Sequence, residues 1–323
     1  MSPRAGPRSE RAERDEGMTR ETMLAVGVGE ILWDRLPGGD EIGGAPFNVI
    51  SHLARLGYPA AYLTAVGQDP LGDAAVAQMV SRRIDTTLVG RVAGVPTGLA
   101  EVTVGAGGSP VFALRRPAAF EQWGSADSVV ERVTAMRPQF VVYGTLAQLG
   151  PGARAGLARI TQSCAGAVRL YDVNLRPGWW AADVVAELIG LASVVKLGDS
   201  EARELAPVLG VTWGAPEAFC RDLAARHGLR GVAVTAGPDA ACLLLDGDFA
   251  LAPPPAAEVE DAVGAGDAFA AGLLDAIGQG LGAAAALRRA NALGTLVASR
   301  RGAQPPWTEA ELARLQDQPP PPG

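Results

Sequence analysis

Short apolar runs, each separated from the next by a helix-period stretch, limit the possible folds of this chain more than any other feature. Residues 140–143, 168–172 and 194–197 are too short for helices and mostly apolar, so they read as short buried strands. Strands of that kind, alternating with helices, form a parallel sheet between helical layers, an α/β domain. Residues 60–66 add another strand, and the apolar run 23–32, punctuated by Gly27 and Gly29, reads as a buried first strand ending at Trp33-Asp34. Helix-period segments follow at 49–56, closed by Gly57, and at 73–83. Residues 97–104 and 110–114 flank Gly105-Ala106-Gly107-Gly108 and read as a hairpin, a candidate lid over the sheet.

With 323 residues, 48% hydrophobic and only 5% aromatic, the chain fits one large domain spanning 23–315. Residues 1–22 mix Arg with Glu and Asp and carry no apolar run, which predicts a disordered extension with alternative starts at Met1, Met18 or Met23. Residues 316–323 are proline-rich and predict a solvated tail. Cys164, Cys220 and Cys242 show no Cys-x-x-Cys spacing, against a disulfide framework or a zinc site and in favour of a cytoplasmic protein. A formal charge of −7 and the absence of a long apolar run disfavour nucleic acid and membrane as partners, leaving a small molecule.

Chemistry concentrates in Asp261-Ala262-Val263-Gly264-Ala265-Gly266-Asp267, which runs into an apolar helix-period segment. A glycine turn entering a helix presents free N–H groups and a positive dipole end, an anion hole. Asp267 at its rim is placed to take a proton from a hydroxyl approaching a bound phosphate. In isolation the same Asp would be an ordinary helix cap; residues 258–261, read as a strand end, put it at a strand-to-helix junction where ligands of α/β sheets gather. Lys196 is the only lysine and is followed by Leu197, so there is no Gly-Lys-Ser/Thr phosphate loop. Leu32 occupies the third glycine position after Gly27 and Gly29, which removes the dinucleotide fingerprint of an NAD-dependent oxidoreductase. His52 and His227 read as lone surface or helix residues.

A second polar group opens the chain. Asp34 offers acceptors and Asn48, after Gly43-Gly44-Ala45-Pro46-Phe47, offers both donors and acceptors, the groups that read vicinal hydroxyls. Their structural alternatives are a turn residue and a helix cap.

Together with Val66-Gly67-Gln68-Asp69 and Gly72, Asp172-Val173-Asn174-Leu175-Arg176, and Val234-Thr235-Ala236-Gly237, these motifs resemble, in order, the PfkB (ribokinase-like) carbohydrate kinases, and within them the bacterial fructokinase group. The resemblance implies a three-layer α/β/α fold with a mainly parallel central sheet and a small β lid drawn from about 33–46 and 95–118. It implies an ATP-dependent sugar kinase, with fructose first among acceptors. Asp267 would be the general base and the N–H groups of Gly264, Ala265 and Gly266 the anion hole; Asp34, Gly44, Asn48 and Arg176 would hold the substrate. Thr235, Gly237 and Asn291 would border the nucleotide. Glu201 would help order Mg2+, and Asp261 with Val263 would hold a monovalent cation, K+. Two copies would pair through lid strands, with Phe112 or Leu114 at the edge.

Three positions depart from the family pattern. Ala262 replaces a threonine, Gly198 stands at the Asn of the Asn-x-x-Glu segment, and Phe120 sits where an acidic residue is often found. The nearer alternative is another acceptor in the same family, a 2-keto-3-deoxy sugar acid, a nucleoside or another ketose; the acid would need a cation, with Arg115 or Arg116 to hand, and a nucleoside stacking aromatics. A non-catalytic ligand-binding protein on the same fold is the alternative from another class.

Overall fold

The computed structural model describes residues 19–36, 38–104, 110–124 and 126–318, with 102–104 and 110–112 described by backbone alone. Its strands in chain order are β1 (Ala25–Val28), β2 (Leu32–Leu36), β3 (Gly39–Gly43), β4 (Ala60–Gly67), β5 (Ile84–Asp85), β6 (Val89–Val92), β7 (Gly98–Val104), β8 (Pro110–Leu114), β9 (Phe140–Gly144), β10 (Val168–Asp172), β11 (Val194–Gly198), β12 (Gly231–Thr235), β13 (Ala241–Leu245) and β14 (Asp248–Ala252). The α-helices are α1 (Ala45–Arg55), α2 (Pro70–Ser81), α3 (Asp127–Ala135), α4 (Pro151–Ser163), α5 (Ala182–Leu191), α6 (Asp199–Leu205), α7 (Pro216–His227), α8 (Ala265–Gly278), α9 (Ala283–Ala298) and α10 (Glu309–Gln316).

One sheet runs β14-β13-β12-β11-β10-β9-β1-β4-β5, with β6 beside β4. It is parallel from β12 to β5, and only β13 and β14 return antiparallel. Side chains of a strand alternate between faces, and the cores follow that period. Val26, Val28, Val141, Tyr143, Tyr171 and Val195 pack against α3 to α7, while Ala25, Phe140, Val142, Leu170 and Val194 pack against α1, α2, α8, α9 and α10. Both faces are therefore dry, as the mostly apolar runs require, and the three-layer α/β/α expectation holds.

A second, four-stranded sheet, β3-β2-β7-β8, is the lid. The hairpin β7–β8 is antiparallel with Val102 opposite Phe112, and β2 joins β7 in parallel. The first apolar run divides between the two sheets instead of forming one strand: β1 stops at Val28 and Leu32 begins β2. Ile31 and Leu32 stay apolar because they fill the joint, Ile31 beside Leu99 and Leu32 beside Phe120. Phe120 is wholly buried there, which accounts for an apolar residue at that position. Pro46 belongs to the first turn of α1, where a missing N–H costs nothing, so this part of the lid ends at Gly43.

Three further expectations need correction. Residues 258–261 form no strand; they follow Pro253-Pro254-Pro255, which cannot donate to a ladder, and Val259 is exposed. The polar extension is folded at its end, where Arg20–Thr22 make a 3-10 turn and Arg20 pairs with Asp275; residues 1–18 lie outside the described residues. At the other end Gln316 closes α10 rather than starting a tail, and 319–323 lie outside the description. Leu114 lies on β8, the edge strand of the lid, partly buried against the Phe120 cluster, and the side chain of Phe112 lies outside the description. Cys220 and Cys242 bring their sulfurs to 3.7 Å as buried thiols. No described helix is long and apolar enough to cross a membrane.

Candidate active site

The C-terminal ends of β1, β10 and β11 meet the first turns of α1 and α8, the edge of a parallel sheet where ligands collect. Gly264, in the left-handed region at φ +76°, turns the chain into α8. A side chain there would press on Ala303, with a Cβ only 2.5 Å from its Cα, so both conformation and space demand glycine. Within the turn the Ala265 N–H closes onto the Ala262 carbonyl at 3.3 Å, whereas the Gly264 and Gly266 N–H groups have no acceptor among the described residues. The open donors of the hole are thus those of the two glycines.

Asp267 follows in the same turn and is only 8% exposed. Its Oδ2 accepts from Asn48 Nδ2 at 2.7 Å, and Asn48 Oδ1 accepts from Gln304 Nε2 at 2.7 Å. Burial and the neighbouring Asp172 push the Asp267 carboxyl up to about 7; Lys196, Asn48 and Arg176 pull the other way. A carboxylate so placed is a base matched to neutral pH.

Lys196 and Asp172 complete the cluster. They are Cα partners on the neighbouring strands β11 and β10, so sheet register alone aims both side chains the same way. Lys196 Nζ lies 3.0 Å from Asp172 Oδ1, and both groups are buried. A Cβ added to Gly266 would sit 2.8 Å from Nζ, which places the ammonium over the first turn of α8. Burial alone would lower the Lys196 pKa, but Asp172, Glu201 and Asp267 together raise it, and the group stays charged. Sequence reasoning gave Lys196 no role; the available signal was the single lysine at the end of a buried strand.

The expected acceptor residues face this cluster. Gly44 enters α1 at φ +126°, its Cα against the Glu30 carbonyl, 2.3 Å from where a Cβ would be. That tight entry brings Asn48 onto Asp267. Asp34, on β2 of the lid, has its carboxyl pushed up to about 6, first by burial, with Glu41 adding to it and Arg176 opposing. The same Arg176 field reaches Glu30, Asp172 and Asp267. Arg176 is exposed, and among the described residues its guanidinium donates to Asn174 Oδ1 and the Leu175 carbonyl. Arg115 and Arg116 are instead tied to Glu101 and Glu121, and Arg116 lies 4.8 Å from the centroid of the Trp179 ring.

The remaining candidates serve loops. Glu201 Oε1 accepts from Leu175 N and Oε2 from Gly198 N, tying the ends of β10 and β11 together. Asp261 Oδ1 accepts from Val263 N and Oδ2 from Gly302 N. Among the described residues no cluster of three His, Cys, Asp or Glu side chains forms a metal cage. Thr235 ends β12 with its hydroxyl 3.4 Å from the Leu197 carbonyl, and Gly237 turns at φ +59°. Asn291 is buried on α9, its amide donating to the Ala252 and Pro253 carbonyls beside an open cavity of about 270 Å3 walled by Pro255 and Leu287. His52 is buried rather than on the surface, and desolvation brings its pKa down to about 4.

Known proteins agree with this architecture. The profile of the pfkB family carbohydrate kinases matches residues 39–310. Fructokinase-1 of Oryza sativa subsp. japonica is 30% identical over 93% of this chain and 99% of its own length. A fructokinase from Xylella fastidiosa, crystallised with bound ATP, superposes with a TM-score of 0.77 at 24% identity, covering 92% of this chain and 98% of that one. The 2-dehydro-3-deoxygluconokinase of Thermotoga maritima does so with a TM-score of 0.81 at 18% identity, covering 92% and 100%. The order of the motifs, the parallel sheet with its β lid, and the profile match over most of the length establish that this chain belongs to the pfkB family of carbohydrate kinases.

Proposed function

We propose that this protein transfers the γ-phosphoryl group of ATP to a hydroxyl of a free sugar, with fructose as the acceptor. The observation that carries the reading is Asp267, a buried carboxylate pushed up to about 7, in the same helical turn as the open N–H of Gly266 and under the ammonium of Lys196. Asn48 holds Oδ2, leaving Oδ1 for the acceptor hydroxyl. As the acceptor oxygen bonds to phosphorus, the bond from phosphorus to the β–γ bridging oxygen breaks, the hydroxyl proton passes to Asp267 and ADP leaves. The helix end and Lys196 oppose the charge on the phosphoryl oxygens as they swing between donor and acceptor.

ATP carries its magnesium on the phosphates, where one or two protein groups and water suffice; Glu201, with both oxygens on backbone N–H groups, would act through water. Asp261 and Val263 would hold K+ in the loop that the Asp261 carboxylate organises, and the nucleotide would lie along Thr235, Gly237 and Asn291. Dimerisation through the lid belongs to the same reading. The rice fructokinase, 30% identical over 93% of this chain, supports the choice of sugar.

An acidic acceptor is the second reading, favoured by Arg176, which has no carboxylate partner in the described structure yet projects its field over Asp34 and Asp267. A coupled ATP-turnover assay against fructose, ribose, 2-keto-3-deoxygluconate and adenosine, with Asp267→Asn alongside, separates these outcomes. Fructose-dependent turnover lost in the variant supports the proposal; turnover with the sugar acid alone moves it to the second reading; wild-type silence favours a ligand-binding role.

A further inference from the structure

Behind the catalytic residues, between α1, the end of α2 and the segment after α9, lies an open cavity of about 220 Å3. Its walls carry Arg55, Arg82 and Arg83 together with Ser51, His52 and Gln304, and no carboxylate. Three guanidinium groups sharing one cavity without a counter-charge is unexpected in a chain of net charge −7. The Arg55 guanidinium lies over the Trp307 ring at 5.7 Å and that of Arg82 over Phe47 at 5.9 Å, within cation–π range. Arg83 adopts φ +61°, a conformation uncommon for a residue with a side chain. His52 adds no charge, because it is buried with Nδ1 accepting from the Trp307 indole and Nε2 on the Ala303 carbonyl.

One wall of this cavity is wired to the catalytic carboxylate. Arg82 Nε donates to Gln304 Oε1 at 2.6 Å, Gln304 Nε2 to Asn48 Oδ1 at 2.7 Å, and Asn48 Nδ2 to Asp267 Oδ2 at 2.7 Å. We propose that the cavity is an oxyanion site, sized for inorganic phosphate or a small phosphate monoester, and that its occupation is transmitted to Asp267 through Arg82, Gln304 and Asn48. Guanidinium groups bind phosphate oxygens through charge-assisted, often paired hydrogen bonds. An anion here competes with Gln304 for the Arg82 donors. Gln304 then loses the contact that orients its amide, Asn48 loses its donor, and the acceptor pocket is less well ordered. Occupation therefore inhibits by raising the KM for the acceptor. The binding half stands on the cavity alone; the inhibition half rests on the kinase reading.

The test is calorimetric titration of the full chain with inorganic phosphate and, separately, with glycerol 3-phosphate, while a non-hydrolysable ATP analogue fills the hole at α8. Arg55→Ala/Arg83→Ala and wild type are compared. Phosphate should bind at least about tenfold more weakly to the double variant than to wild type. Binding of phosphate alone assigns the free ion, and binding of both assigns the monoester class. Equal binding to the double variant, or none to wild type at millimolar phosphate, overturns the site. Phosphate should also raise the acceptor KM in wild type and not in the double variant; an unchanged KM overturns the coupling while leaving the binding result intact.

Discussion

Helix α8 buries two aspartates two turns apart, and their surroundings differ: one is fully hydrogen-bonded and the other is not. Asp275 is saturated: it accepts from Arg20 Nε at 2.7 Å and Nη2 at 3.0 Å, from Tyr58 Oη at 2.8 Å, from Gln279 Nε2 at 2.8 Å, and from Arg289 Nε. Asp267 receives one side-chain hydrogen bond, from Asn48, and shares its ammonium neighbour Lys196 with Asp172. The first pins the N-terminal turn, α8, α9 and, through Glu309, α10 together. The second is left under-satisfied in a buried position, a state the fold tolerates because nearby packing over-determines it, and one that makes a carboxylate basic near neutrality.

The sharpest test of this contrast is removal of each acid. Asp267→Asn should lower turnover by about 10²–10⁴-fold, and equal rates for variant and wild type would remove Asp267 from the chemistry. Asp275→Ala leaves Arg20 and Arg289 only Glu309 as a carboxylate partner and should cost about 3–5 kcal/mol, read from the urea midpoint, with turnover per folded molecule nearly unchanged. Lys196→Met should reduce kcat by about 10²–10³-fold; a change confined to stability would make Lys196 a partner of Asp172 and nothing more.

Stability against pH separates the two acids further. Asp267 titrates near 7 in the folded chain and near 3.8 when unfolded, so the unfolded chain gives up this proton first as pH rises. Folding is thereby weakened progressively from about pH 4 to pH 7. Asp267→Asn escapes that loss and should melt higher than wild type at pH 8, by about 2–4 °C per kcal/mol recovered, with the gap closing near pH 4. Parallel melting curves across that range would contradict the raised pKa. The smallest expected effect belongs to Asn48→Ala. Without the amide donor the acid limb of kcat/KM, expected near pH 7, should move upward, and a limb that stays put would show that Asn48 acts on the acceptor alone.

Much of this arrangement is legible in the sequence. The Gly264 turn, Asp267 and Asn48 are local signals, because a glycine entry and a helix phase fix where the side chain points. Asp172 and Lys196 could not be paired that way; they are 24 residues apart and meet only because β10 and β11 are neighbours in the sheet. Gln304 and Arg20 escaped for the same reason, each joining the core from a segment of polar or turn-like composition. The run 23–32 misled because hydrophobicity marks burial without marking which sheet a residue is buried in. Residues 258–261 misled because Val259 sits between two glutamates and mimics an alternating strand.

The lid sheet is built from its own strands, and it contributes Asp34, while Asp172, Lys196 and Asp267 all belong to the main body. In the proposed reading the lid therefore supplies one acceptor contact, while Gly44, Asn48 and Arg176 approach the acceptor from the body that carries the charge cluster. If Asp34 reads the acceptor, exchanging residues 32–43 for those of a relative should alter which alcohol is accepted while leaving Asp172, Lys196 and Asp267 in place.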